Sequence, residues 1–141
     1  MAAYNKIQVF VENLAEKVHN LGADSLRVML SNVAPVATNA VKADLTDITA
    51  GNGYTAGGPT PSISSSAQTG GTYKLVLGDV TITAAGGSIG PFRYVSLWND
   101  TPTSPADPLI AWWDYGSSIT LADGESFVID FDGSAGVLTI A

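Results

Sequence analysis

The chain has 141 residues, a formal net charge of −7 and no cysteine. That length suits one domain able to bury about two-thirds of its unfolded surface without a covalent staple. The missing cysteine excludes disulfides and thiolate chemistry, though it does not fix the compartment.

The cations Lys6, Lys17, Lys42, Lys74, Arg27 and Arg93 are scattered, which argues against nucleic acid as a partner, since that needs clustered basic residues. Charged residues make up 13% of the chain, about half the usual share. The surface must therefore be rich in Ser, Thr, Gly and Ala, neutral and able to pair with protein. No apolar run reaches the length of a membrane span, so no membrane partner is expected. The N-terminus lacks the basic-then-apolar order of a signal peptide, and synthesis in the cytoplasm is the expectation.

At the start of the chain, Ile7, Phe10, Val11, Leu14, Val18 and Leu21 fall on one helical face. They predict a helix over 4–21, closed by Gly22 as a residue able to take positive φ. Its polar face carries Glu12, Asn13, Glu16 and Lys17. Such a helix either covers one side of a sheet or docks another subunit. Next, Ser25 to Leu30 reads as a strand with Leu26, Val28 and Leu30 on one face. Residues 33–61 hold few bulky apolar side chains and much turn chemistry, including Gly51-Asn52-Gly53 and Gly57-Gly58-Pro59. A single helical turn over 42–48 is compatible with the sequence. This stretch predicts an extended arm or loop that either lies along a neighbour or packs on its own sandwich, with Tyr54 its one large aromatic anchor.

From residue 61 onward the pattern is all β. Predicted strands are 61–68, 72–77, 79–84, 92–98, 108–114, 117–121, 125–131 and 135–140. Gly70-Gly71, Gly86-Gly87, Asp123-Gly124 and Asp132-Gly133 punctuate them. The expected fold is mainly β: one domain with a helix over 1–22, an arm over 33–61 and a β-sandwich or jelly-roll core over 61–141. The densest aromatic region carries Trp98, Trp112, Trp113 and Tyr115 around a loop of three prolines, Pro102, Pro105 and Pro108. On a strand Trp112 and Trp113 point to opposite faces, so one can enter the core while the other meets a second core layer or a partner. With Tyr54, these four are the candidate protein-interface residues, because Trp and Tyr are enriched in interface hot spots.

Catalytic chemistry is hard to find. His19, the sole histidine, sits on the predicted helix away from any nucleophile-elbow serine, where a surface side chain is the expectation. Asp79, Asp100, Asp107, Asp114, Asp123, Glu125, Asp130 and Asp132 read mostly as turn residues accepting backbone hydrogen bonds, not as a glycosidase pair. Asp130-Phe131-Asp132-Gly133 falls short of a calcium loop. No catalytic residue, cofactor or metal site is expected.

Two groups of residues suggest a family. One is Leu30-Ser31-Asn32-Val33-Ala34-Pro35 with Ala43 to Gly58. The other is Phe92-Arg93-Tyr94-Val95, Trp98-Asn99-Asp100, Trp113 to Ser117 and Leu121 to Glu125. From residue 26 to the C-terminus the chain resembles small virion structural proteins of tailed bacteriophages, most nearly a capsid decoration, or cement, protein. The resemblance is one of overall phrasing and carries no catalytic motif. It implies a non-enzymatic protein on the capsid exterior that binds the major capsid protein and itself, with a trimer on local threefold axes favoured over a dimer. A tail-tip or fibre module binding a host-surface glycan or protein receptor is the alternative. A rigid β domain with a flat, weakly charged face and an extended arm suits the cement role independently, because many modest contacts add up across a lattice.

Overall fold

The computed structural model describes residues 2–141. It is mainly β, with several antiparallel sheets and one short helix. The elements in chain order are β1 (Asn5–Lys6), α1 (Phe10–Ala15), β2 (Leu26–Ser31), a 3-10 turn (Lys42–Asp44), β3 (Ile63–Thr69), β4 (Thr72–Leu77), β5 (Val80–Thr83), β6 (Ile89–Asn99), β7 (Leu109–Leu121), β8 (Ser126–Ile129) and β9 (Leu138–Ile140). The largest sheet has the order β1-β7-β6-β2, beside a sheet β3-β4-β9 and a pair β5-β8. Only Gly78 and Asp79 separate β4 from β5. One chain path therefore serves two small sheets, pairing with β9 along its first half and with β8 along its second. The alternating strands 72–77, 79–84 and 125–131 appear near their predicted places, because Asp-Gly and Gly-Gly turns fix their ends.

The predicted helix over 4–21 is a correction. Only six residues are helical. Asn5 and Lys6 instead pair with Trp112 and Ala111 of β7, and the Ile7 amide donates to the Ile110 carbonyl at 3.1 Å. Sheet pairing has taken the first turn of the expected helix. The other end is closed by a Schellman motif. The Val18 amide reaches the Asn13 carbonyl at 2.8 Å, the Lys17 amide reaches Leu14, and Lys17 takes φ +66°. The stop thus falls five residues before Gly22. One member of the expected apolar face, Val11, is left exposed.

The runs 108–114 and 117–121 form one strand, β7, broken by a bulge rather than a turn. Tyr94 pairs with Asp114 and Phe92 with Ile119, so residues 115–118 bow out opposite Arg93 alone. Asp114 holds this bow in place. Its carboxylate takes two hydrogen bonds from the Arg93 guanidinium, at 2.7 and 2.9 Å, and one from the Gly116 amide at 2.8 Å. Gly116 sits at φ +102°, a conformation glycine adopts without a Cβ penalty.

The segment 33–61 lies on its own domain. In the largest sheet β2 is an edge strand, and this segment closes it. The Val28 amide donates to the Pro59 carbonyl at 3.0 Å, and the Ile48 amide donates to the Leu30 carbonyl at 3.2 Å. The Leu30 amide donates to the Tyr54 hydroxyl at 3.0 Å. That hydroxyl in turn donates to Asp47 at 2.6 Å. Tyr54 is only 3% exposed and belongs to the main core. Leu45 and Ile48 pack against the same core. The polar backbone of an extended stretch is thereby satisfied without large apolar side chains.

Gly58 marks the closest approach. A Cβ there would lie 1.6 Å from the Val28 carbonyl oxygen, at a backbone φ of +80°. At Gly70, also at positive φ, a Cβ would meet nothing. Gly58→Ala should therefore cost more than about 3 kcal/mol in urea unfolding, against about 1–2 kcal/mol for Gly70→Ala. Tyr54→Phe strips the buried Leu30 amide of its acceptor and should cost about 1–3 kcal/mol in the same measurement.

Candidate interaction surface

Of the five predicted interface residues, two are core residues, for a physical reason. Tyr54 closes the β2 edge. Trp98 is 1% exposed. Its indole N–H donates to the Gly57 carbonyl at 2.9 Å, with the Arg27 guanidinium 5.1 Å and the Lys42 ammonium 4.9 Å from its ring. Arg27 also donates to the carbonyls of Ala56 and Gly58. Trp98 thus anchors the covering segment instead of reaching a partner. Trp112 and Trp113 are both half-buried against the core, so neither takes the fully buried role expected of one of them. Trp112 faces Ser96 across the ladder, and its carbonyl accepts from the Asn5 side chain.

Trp113 and Tyr115, on either side of the point where the bow in β7 begins, open on the same cleft. They line a cleft of about 440 Å³ together with Tyr4, Val95, Val128, Phe131 and Val137, among others. Edge-to-face contacts build its wall: Tyr4 and Phe131 against Trp113, and Phe127 against both Tyr115 and Phe92. Tyr115 and Val128 are 54% and 51% exposed, and Tyr4 is exposed as well. Among the described residues, the only charged side chains lining the cleft are those of Asp130 and Asp132. Asp132 accepts from the amides of Ser134 and Ala135, and those bonds hold its carboxyl below the usual range.

Sequence reasoning missed Tyr4, because the false helix absorbed it, and Val128, which reads as one apolar member of an alternating run. A second groove, of about 660 Å³, runs between α1 and β9, and Val11 and Ile140 leave its lips apolar.

His19 is a further correction. It lies in a turn after α1, 5% exposed. The Asn99 amide group donates to His19 Nδ1 at 3.0 Å and to Asp24 at 2.7 Å, while the Asn99 carbonyl oxygen accepts from Thr101. With Nδ1 an acceptor, the proton sits on Nε2, which is buried with no hydrogen-bond partner among the described residues. No serine or threonine hydroxyl bonds the ring, so the nucleophile–base contact of a triad is missing here. Nor, among the described residues, does any group of three or more His, Asp and Glu side chains gather as a metal site would require.

Burial lowers the His19 pKa from 6.5, and the nearby Asp24 carboxylate opposes this only in part. The unfolded chain therefore binds the proton first. The stability His19 contributes is complete above about pH 6.5 and is lost as pH falls through that value. Unfolding free energy should fall as pH drops below about 6.5, and His19→Gln should flatten that slope in chemical denaturation.

No protein-family model matches this chain, and neither does any curated protein or solved structure.

Proposed function

We propose that this protein is a structural component of a bacteriophage virion, decorating and cementing the capsid shell from outside by binding neighbouring copies of the major capsid protein. The observation that carries this reading is the concentration of exposed apolar side chains, Tyr4, Tyr115 and Val128, at one cleft of a sparsely charged β domain. Contiguous exposed apolar surface marks a protein-contact site. The phrasing of residues 26–141, which resembles tailed-phage virion proteins, supports the same reading. A sandwich or jelly-roll stacking of the sheets belongs to this proposal, as does assembly into a trimer, with a dimer second.

The reading includes no reaction. Asp114, the acid closest to the tryptophans in sequence, is held by Arg93 and lies below the usual carboxylate range, first through that hydrogen bond and then through the Gly116 amide. A general acid needs the opposite shift.

One observation favours a tail-tip or fibre module that binds a glycan. Trp113, Tyr115 and Asp130 meet in the same cleft, and an aromatic ring beside a carboxylate is chemistry that takes a sugar.

Negative-stain microscopy of purified particles with a gold-labelled antibody should place the label over the shell. Label confined to the tail would replace the capsid reading with the tail reading. Sedimentation of the free protein should reveal a trimer.

A further inference from the structure

The exposed apolar cleft borders an unpaired strand edge, and the two together define a docking mode. The Ala84 amide donates to the Glu125 carbonyl at 2.8 Å, which sets the phase of the β5–β8 ladder. In that phase Phe127 and Ile129 exchange bonds with Ile82 and Val80. The N–H and C=O groups of Ser126 and Val128 then point away from β5. Among the described residues no strand, bridge or loop backbone pairs with them.

Edges left open in native proteins are normally guarded by lysine, proline, a bulge or a covering segment. Ser126-Phe127-Val128-Ile129 has none of these, whereas the β2 edge of the same molecule is sewn shut. Beside the bare edge lies the cleft lined by Tyr4, Trp113 and Tyr115, whose charged side chains among the described residues are carboxylates.

We propose that the free edge of β8 docks an extended segment of a partner protein that alternates apolar and basic residues. The segment adds as a third strand to the β5–β8 sheet. Its apolar side chains fill the aromatic cleft, and its lysine or arginine side chains meet Asp130. Charge selects the occupant: a chain of net charge −7 offers a second copy of itself little to complement this rim. The inference concerns the chemistry of the partner and stands whether the partner sits in a shell, in a tail or elsewhere.

The probe is a capped synthetic peptide of alternating valine and lysine, about eight residues long. Two controls accompany it: the same peptide with glutamate for lysine, and one with its valines and lysines segregated into blocks. Tryptophan fluorescence should report saturable binding of the alternating lysine peptide, with amide exchange at Ser126 and Val128 slowed in the complex. The glutamate peptide should bind at least about tenfold more weakly.

Val128→Pro removes an edge donor that no internal bond uses, so the fold should survive while binding is lost. Asp130→Lys should reverse the preference between the lysine and glutamate peptides. Equal binding by the block peptide, unslowed exchange at Ser126 and Val128, or unchanged affinity in a folded Val128→Pro variant would overturn the proposal. So would the absence of binding. Sedimentation showing a dimer that Val128→Pro abolishes would assign the edge to a second copy and also overturn it.

Discussion

The closure of the β2 edge by residues 48–59 is the constraint on which the rest of the domain depends. A strand at the end of a sheet leaves half its backbone groups without partners, and the central residues of β2 are fully buried. Burying those groups unpaired would cost more than the apolar contacts around them return. The covering segment resolves this with one side-chain hydroxyl, two backbone bonds and a glycine that lets the chains touch. Trp98 and Arg27 then fasten the cover, through the carbonyls of Gly57, Ala56 and Gly58. The largest core side chain thus rests on the loop that seals the sheet, and the two features stand or fall together.

The contrast with β8 gives the molecule its polarity. One sheet edge is sealed by its own chain and anchored by an indole that carries two cations over its ring. The other presents apolar and aromatic side chains beside acids. The fold is mainly β, and the aromatic side chains of β7 rest edge-to-face against Phe127 and Phe131. A partner arriving there meets a preorganised surface, which lowers the ordering cost of association.

Much of this was legible in the residues, and the failures have physical causes. Alternation and Asp-Gly turns locate β5 and β8, whereas the cleft shared by Trp113 and Tyr115 lies across a bulge that the sequence reads as a break between two strands. The helix over 4–21 fails because its apolar period is local, whereas the pairing of Asn5 and Lys6 with β7 joins residues more than a hundred positions apart. The support of segment 33–61 is hidden for a different reason. A stretch poor in large apolar residues reads as unsupported, yet its partners are backbone carbonyls, a tyrosine hydroxyl and a missing Cβ, none of which hydropathy registers. His19 is hidden in the same way: nothing near it in sequence announces Asn99.

The placement of the cover has a consequence for the order of events during synthesis. β2 pairs with β6, nearly seventy residues later, and such distant pairing is slow to form. Until β6 emerges, β2 is a bare apolar strand, the kind of segment that aggregates from incomplete chains. The covering segment begins within twenty residues of β2 and has left the ribosome well before β6. Its bonds to Val28 and Leu30 join residues within 28–59, and the Trp98 anchor is added when β6 arrives. The loop that closes the finished sheet is therefore also the first segment available to guard its most buried strand.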